Sequence, residues 1–136
     1  MSKIVGRVAT WCFWIMFLYL GGCQGDNLVG LGGLVTFNGE PVKNGTISFI
    51  PLDGKGQTEG VLIVEGRYTA RISPGNMKVE IQGYKEIGRQ HVVEGDSKSP
   101  LIAKTVPMIP AKYNSQTTLT VKVQKSTRTA DFTLTQ

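Results

Sequence analysis

Hydrophobic and polar residues alternate along most of the chain after residue 32, and this period of two limits the possible folds more than any other feature. Val35 and Phe37, for example, flank Thr36. The same alternation recurs in residues 46–49, 67–72, 77–82, 118–123 and 130–134. Because successive side chains of a strand point to opposite faces, each segment predicts a strand with one buried face. The apolar run Val61–Val64 predicts a strand that is covered on both faces or lies at a sheet centre.

Residues that favour turns separate the predicted strands. They are Asn38-Gly39, Asp53-Gly54, Glu65-Gly66 and Ser73-Pro74-Gly75-Asn76. Such residues supply the positive or preset φ angles that hairpins require. Downstream of the N-terminal segment, no stretch shows a sustained helical spacing of apolar residues with helix caps. We therefore expect an all-β domain of about seven strands, packed as a β-sandwich.

The N-terminal segment has the features of an export signal. Lys3 and Arg7 come first, and the run from Val8 to Leu20 carries no charge. This run is shorter than the ~20 residues that a membrane-crossing helix needs, whereas a positive start and a short apolar run are typical of a secretory signal. Residues 1–22 are therefore predicted to be a signal peptide, and its removal lowers the formal net charge of +5.

The residues Leu20-Gly21-Gly22-Cys23 resemble the lipobox of bacterial lipoproteins. The resemblance implies cleavage between Gly22 and Cys23 and lipidation of Cys23, whose thiol takes a thioether-linked diacylglycerol with fatty-acyl chains such as palmitate. It divides the chain into the signal peptide, a lipidated N-terminus with a short linker (23–31) and a β-sandwich domain (32–136). It also implies export and a lipid anchor in a bacterial membrane, with the choice between inner and outer membrane open. The alternatives are an ordinary secretory signal and an uncleaved anchor.

A characteristic order of motifs runs through segments 33–42, 45–51, 65–68, 74–81 and 109–114. The order is a strand, an Asn-Gly-x-Pro-Val turn, a Gly-Thr-led strand ending in proline, a Gly-x-Tyr strand and a Pro-Gly hairpin. It resembles the small transthyretin-like or carboxypeptidase-regulatory-like lipoproteins that are abundant in planctomycetes. The resemblance implies a seven-stranded, prealbumin-like sandwich. It departs at Leu62–Gly66, where many relatives have a Thr-Asp-x-x-Gly turn.

The composition leaves little room for catalysis. His91 is the only histidine, and the two cysteines are assigned to the signal peptide (Cys12) and to the lipid (Cys23). One histidine and two cysteines are too few for a His/Cys metal cluster, and a Ser-His-Asp triad would have to be built around His91, which lies in a polar loop segment. Asp53-Gly54-Lys55-Gly56 has too few oxygen ligands for calcium and is interpreted as a turn. We therefore expect no catalytic residue, no metal site and no cofactor.

The segment from Tyr84 to Tyr113 breaks the alternation, and Pro100, Pro107 and Pro110 argue against a central strand there. A connection of this length is usually functional or loosely ordered. Within it, Lys112 and Tyr113 are the candidate binding surface, as a platform for a sugar or a peptide. The alternative is structural, with Ile109 and Tyr113 packing over the open edge of a sheet.

These observations predict a lipid-anchored, non-enzymatic interaction or structural module of the cell envelope. Its expected partners are the membrane, through the lipid, and an envelope protein or polysaccharide. Nucleic acid is not expected, because the basic residues are not interleaved with aromatic ones. The alternative function is a carbohydrate-binding module, which would need Tyr68, Tyr84 or Tyr113 to be exposed on one face.

Overall fold

The computed structural model describes residues 27–136, and its regular structure is almost entirely β. The predicted signal peptide, the cleavage site at Gly22 and the lipidation site at Cys23 lie outside the described residues. The elements are β1 (Val29–Phe37), β2 (Glu40–Pro41), β3 (Asn44–Pro51), β4 (Glu59–Val64), β5 (Arg67–Ile72), β6 (Gly75–His91), β7 (Leu101–Pro107), a 3₁₀ turn (Ala111–Tyr113), β8 (Thr120–Val123) and β9 (Phe132–Leu134). The all-β expectation is confirmed. Within residues 27–136, no helix is long and apolar enough to span a membrane.

The strands form one curled sheet in the order β2-β1-β5-β4-β3-β6-β7. Neighbours in this order are antiparallel, while β9 joins β1 in parallel and β8 joins β6. β4 and β5 pair only at Val64 and Arg67, next to their connecting turn. The sheet therefore opens at this point, so that β1 and β5 can fold over β3 and β6. Phe49 of β3 and Tyr68 of β5 meet between the two halves, with ring centroids 5.8 Å apart.

The predicted apolar faces form the core between the two halves. The alternating positions in β1, β3, β5, β6 and β9 are buried as expected from the period of two. They are Val35, Phe37, Ile47, Phe49, Tyr68, Ala70, Ile72, Met77, Val79, Ile81, Phe132 and Leu134. Val123 of β8 is also buried, and Leu119 and Val121 pack partly against the same cluster. One continuous cluster thus holds the described domain together.

The run Val61–Val64 is at the sheet centre but is not covered on both faces. β4 lies in the middle of the strand order. Ile63 is buried, whereas the side chain of Leu62 is 69% exposed and that of Val64 is also exposed. Of the two predicted alternatives, the central position is confirmed and the covering of both faces is wrong, because no element of residues 27–136 packs on the outer face of β4.

Two predicted turns have the backbone geometry that their residues favour. Asn38 and Gly39 have φ of 51° and 86°, and Glu65 and Gly66 have φ of 49° and 78°. Positive φ at both central positions defines a type I′ turn, whose twist matches that of a hairpin. These turns set the register of β1 with β2 and of β4 with β5.

The folded part begins earlier than the sequence suggested. β1 starts at Val29, inside the segment 23–31 that we interpreted as a linker, and Val29 and Leu31 are buried. The sequence did not indicate the start of this strand because residues 30, 32 and 33 are glycines, and glycine is rare in strands. Residues 27–136 contain nine strands instead of about seven, because the count includes the very short β2 and β9.

Candidate interaction surface

β6 extends well beyond the strands that flank its first half. Its pairing with β3 ends where Asn44 meets Tyr84, and from there β6 pairs only with β7. Residues 85–106 therefore form a two-stranded hairpin that projects from the sheet, which we call the arm. The sequence predicted a connection here, because an arm that buries neither face shows no alternation. The prolines at 100 and 107 border β7, which lies at the sheet edge, in agreement with the prediction that they exclude a central strand.

The arm has more exposed large apolar side chains than the rest of the described chain. Every residue of β7 is exposed, as are residues 85–90 of β6. Six large apolar residues of the arm are between 36% and 56% exposed: Ile87, Val92, Val93, Leu101, Ile102 and Val106. Exposed apolar groups that cluster in this way mark interaction surfaces. A two-stranded hairpin is also only marginally stable alone in water, so a third strand would stabilise it.

Both long edges of the arm lack a strand partner within residues 27–136. β7 is the last strand of the sheet, and β6 has no neighbour on its β3 side beyond Tyr84. Such an edge offers unpaired backbone N–H and C=O groups to another strand. The β7 edge carries one charge, that of Lys104, whereas the β6 edge carries Lys85, Glu86 and Arg89. The two edges therefore present different chemistry to a partner.

A bulge at Ile87 determines which backbone groups of β6 face the open edge. The register with β7 shifts between Glu86 and Gly88, which leaves Ile87 without an opposite residue. Gly83 accepts a hydrogen bond from Met108 before the bulge, and Val92 donates one to Pro100 after it. Because backbone groups alternate between the two sides of a strand, residues 86, 89 and 91 direct theirs to the open edge. The bulge thus places Glu86 and Arg89 on the same side.

A cleft of about 380 Å³ lies at the base of the arm, where the β3 side of β6 becomes open. Its lining residues come from β2, the residue before β3, the start of β3, the middle of β6 and the residue after β7: Glu40, Pro41, Lys43, Asn44, Tyr84, Lys85, Glu86 and Met108. Acidic, basic and apolar groups all contribute. The cleft continues the open edge of β6 and so belongs to the same surface as the arm.

Lys112 and Tyr113 lie on the 3₁₀ turn, outside the arm, and their side chains contact other residues of the chain. The Lys112 Nζ lies 5.1 Å from the Tyr113 ring centroid and donates a 2.9 Å hydrogen bond to the backbone oxygen of Gln136. The Tyr113 hydroxyl lies 3.5 Å from the Thr135 side-chain hydroxyl and accepts a hydrogen bond from the Thr135 backbone N–H at 3.1 Å. The side-chain contact first, then the backbone contact and the positive charge of Lys112, lower the pKa of Tyr113. Ile109 is buried and Tyr113 packs on the core. These contacts favour the structural alternative, in which Ile109 and Tyr113 serve packing, and they also join the turn to the residues after β9.

The three tyrosines considered for sugar stacking do not form a common platform. Tyr68 is 4% exposed, and burial, with a further contribution from the negative charge of Asp131, raises its pKa. Tyr84 is half-buried and donates a hydrogen bond to the side-chain oxygen of Gln82 at 2.9 Å. Tyr113 is held by Thr135, as described above. The carbohydrate alternative therefore loses Tyr68, one of its three candidate residues.

His91 lies at the end of β6 in the arm, with Nδ1 2.7 Å from the backbone oxygen of Ser99. Within residues 27–136, no group of three or more His, Cys, Asp or Glu residues is arranged to hold a metal ion. The Asp53 carboxylate accepts a hydrogen bond from the backbone N–H of Lys55 at 2.9 Å, which is the contact of a local turn.

The contact between His91 and Ser99 joins the end of β6 to the residues before β7, so His91 helps to close the tip of the arm.

Comparisons with known proteins provide fold likenesses only. No protein-family model matches the chain, and no curated protein matches it. A protein from Bacteroides ovatus, described as a "putative adhesin", superposes with a TM-score of 0.47 at 13% identity, over 79% of this chain and 44% of its own. A 9R-lipoxygenase from Cyanothece has a TM-score of 0.35 at 15% identity, over 81% of this chain and 16% of its own. The chain thus spans less than half of either protein, and neither likeness identifies a function.

Proposed function

We propose that the chain is a non-enzymatic interaction module of the bacterial cell envelope that binds protein through the arm. The observation that carries this proposal is the arm itself, residues 85–106, with its unpaired edges and six exposed apolar side chains. A partner strand added to one edge would complete backbone hydrogen bonds and cover apolar side chains in the same step. Strand addition needs no catalytic group.

The proposal includes a lipid anchor at Cys23 and a prealbumin-like sandwich as the scaffold. The lipobox at residues 20–23 supports the anchor, and the curled sheet with one core supports the sandwich. β1 begins at Val29, so the segment from Cys23 to this strand spans at most ~22 Å when extended. The arm would therefore bind partners close to the membrane surface.

Site-specific photocrosslinking in intact cells tests the arm. A photoactivatable amino acid at Ile102 in the arm is compared with one at Leu62, which is also a large apolar residue and is more exposed, but lies on the outer face of β4. We expect Ile102 to give a protein adduct that mass spectrometry identifies and Leu62 to give none. Equal adducts at both positions, or a protease-resistant polysaccharide adduct at Ile102, would reject protein binding through the arm.

The anchor is tested separately with a fatty-acid analogue. The wild-type chain should incorporate the label, and Cys23→Ala should not, because the thiol that takes the diacylglycerol is gone. A Cys12→Ala variant is the matched control, since this cysteine lies within the predicted signal peptide. Persistence of the label in Cys23→Ala would disprove the anchor and leave the proposal for the arm unaffected.

A further inference from the structure

We propose that the partner of the arm is a second copy of this chain, joined through the β6 edges. The two arms would pair antiparallel around a two-fold axis between Ile87 and Gly88, so that Glu86 of each copy lies opposite Arg89 of the other. This inference rests on the proposed function, because it names the protein that the arm binds. The product is a four-stranded sheet, with the two β6 strands in its centre and a β7 strand at each side.

The bulge makes this register geometrically consistent. Residues 86 and 89 both direct their backbone groups to the open edge, as shown by the hydrogen bonds that flank the bulge. In the proposed register, Glu86 of the first copy faces Arg89 of the second, and Arg89 of the first faces Glu86 of the second. Each of these two pairs can therefore form backbone hydrogen bonds. Glu86 lies opposite Thr105 and Arg89 opposite Ala103 within the arm. Since Thr105 and Ala103 are two apart on β7, the Glu86 and Arg89 side chains share one face and can meet their counterparts.

The charges favour this register over its neighbours. Opposite charges directly across a strand pair stabilise it, and like charges destabilise it. The register places Lys85 opposite Gln90 and Ile87 opposite Gly88, so no like charges meet. Self-pairing centred on residue 86 would oppose two glutamates, and self-pairing centred on residue 89 would oppose two arginines. The β7 edge offers no such complementarity, because Lys104 is its only charged residue.

The cleft at the base of the arm would receive the tip of the other arm. The pairing between the two β6 strands would stop at Tyr84, because this residue already pairs with Asn44 of β3. In the proposed register, Gln90 of the second copy lies opposite Lys85, so the tip of the second arm, which begins after Gln90, lies beside Tyr84. Val92 and Val93 are exposed in this tip. The cleft of about 380 Å³ lies at that point, with apolar groups from Pro41 and Met108. The dimer would therefore cover apolar surface that is exposed in the single copy.

Charge reversal on the full chain tests the proposal. Two differently tagged copies are coexpressed and extracted in mild detergent, and the fraction of one tag that copurifies with the other is measured. We expect Glu86→Arg and Arg89→Glu each to lower this fraction about tenfold, because each places like charges opposite twice. The double variant Glu86→Arg/Arg89→Glu should recover it, since the pairs are then reversed but complementary. Lys104→Glu on the β7 edge is the matched control and should leave the fraction unchanged.

The outcomes separate this inference from the proposed function. Lack of copurification of the wild-type copies, or a double variant as weak as the single ones, would reject the pairing of two arms. If Ile102 at the same time crosslinks to a different protein, the arm still binds protein and only the second copy is excluded. If Ile102 gives no protein adduct either, both proposals fail. Because residues 86 and 89 are exposed, unchanged thermal unfolding of the variants should verify that the fold is intact.

Discussion

The hydroxyl of Tyr68 donates a 2.6 Å hydrogen bond to the backbone oxygen of Ala130. It joins β5 to the chain just before β9, across a large separation in sequence. The ring of the same tyrosine packs between Phe49 and Phe132, at centroid distances of 5.8 and 6.3 Å. Tyr68 therefore connects the last segment of the chain to both halves of the core.

Removal of this hydroxyl should destabilise the domain. In Tyr68→Phe the ring packing remains, but the carbonyl of Ala130 loses its donor in a partly buried position. We expect the free energy of unfolding to fall by about 1–2 kcal/mol in urea denaturation. Tyr84→Phe is the control, because its hydroxyl contacts only the Gln82 side chain at an exposed position, and its change should stay within ~0.5 kcal/mol. Equal losses in the two variants would contradict this role of Tyr68.

Two glycines of β1 should respond in opposite ways to alanine. A Cβ at Gly33 would overlap the backbone oxygen of Ala130, whereas a Cβ at Gly30 would meet no atom within 4 Å. Gly33→Ala should therefore lower the free energy of unfolding by about 1–3 kcal/mol, through displacement of the adjacent backbone. Gly30→Ala should raise it by ~0.5 kcal/mol, because alanine restricts the unfolded chain. Denaturant titrations of both variants measure the contrast, which would be absent if β1 did not approach Ala130 closely.

The core was predictable from sequence because burial of one face produces a period of two. Val79 and Ile81 alternate with Lys78 and Glu80, and the structure buries the apolar pair. The start of β1 was not predictable in this way, since its glycines hide the pattern although Val29 and Leu31 are buried. Glycine tolerates the close approach of the Ala130 carbonyl, a tertiary contact that no local pattern contains.

The candidate surface was harder to predict than the core. The broken alternation separated the segment 84–113 from the predicted strands, but it did not indicate a projecting hairpin. Exposed strands leave no periodic signal, and the pairing of Arg89 with Ala103 depends on a bulge that sequence did not indicate. Lys112 and Tyr113 attracted attention by residue type, whereas their contacts with Gln136 and Thr135 follow from the path of the whole chain.

Tyr68 should make the domain sensitive to alkali. Burial raises its pKa above that of an unfolded tyrosine, which is about 10. The unfolded chain therefore loses this proton first as the pH rises, and the stabilisation that is fully present below about pH 10 is lost above it. Thermal unfolding between about pH 8 and 12 should show a steeper decline in the wild type than in Tyr68→Phe. Identical slopes would show that Tyr68 does not limit alkaline stability.

Adjacent residues of β4 should differ sharply in their contribution to stability, because only one face of this strand is covered. Ile63 is 1% exposed within the core, and its neighbour Leu62 points to the outer face. Ile63→Ala removes buried methyl groups and leaves a cavity, so the free energy of unfolding should fall by about 2–5 kcal/mol. Leu62→Ala removes a side chain of the same size from an exposed position and should change it by no more than ~0.5 kcal/mol. Urea denaturation compares the two variants directly. A loss at Leu62 that equals the loss at Ile63 would mean that the outer face of β4 is covered in solution.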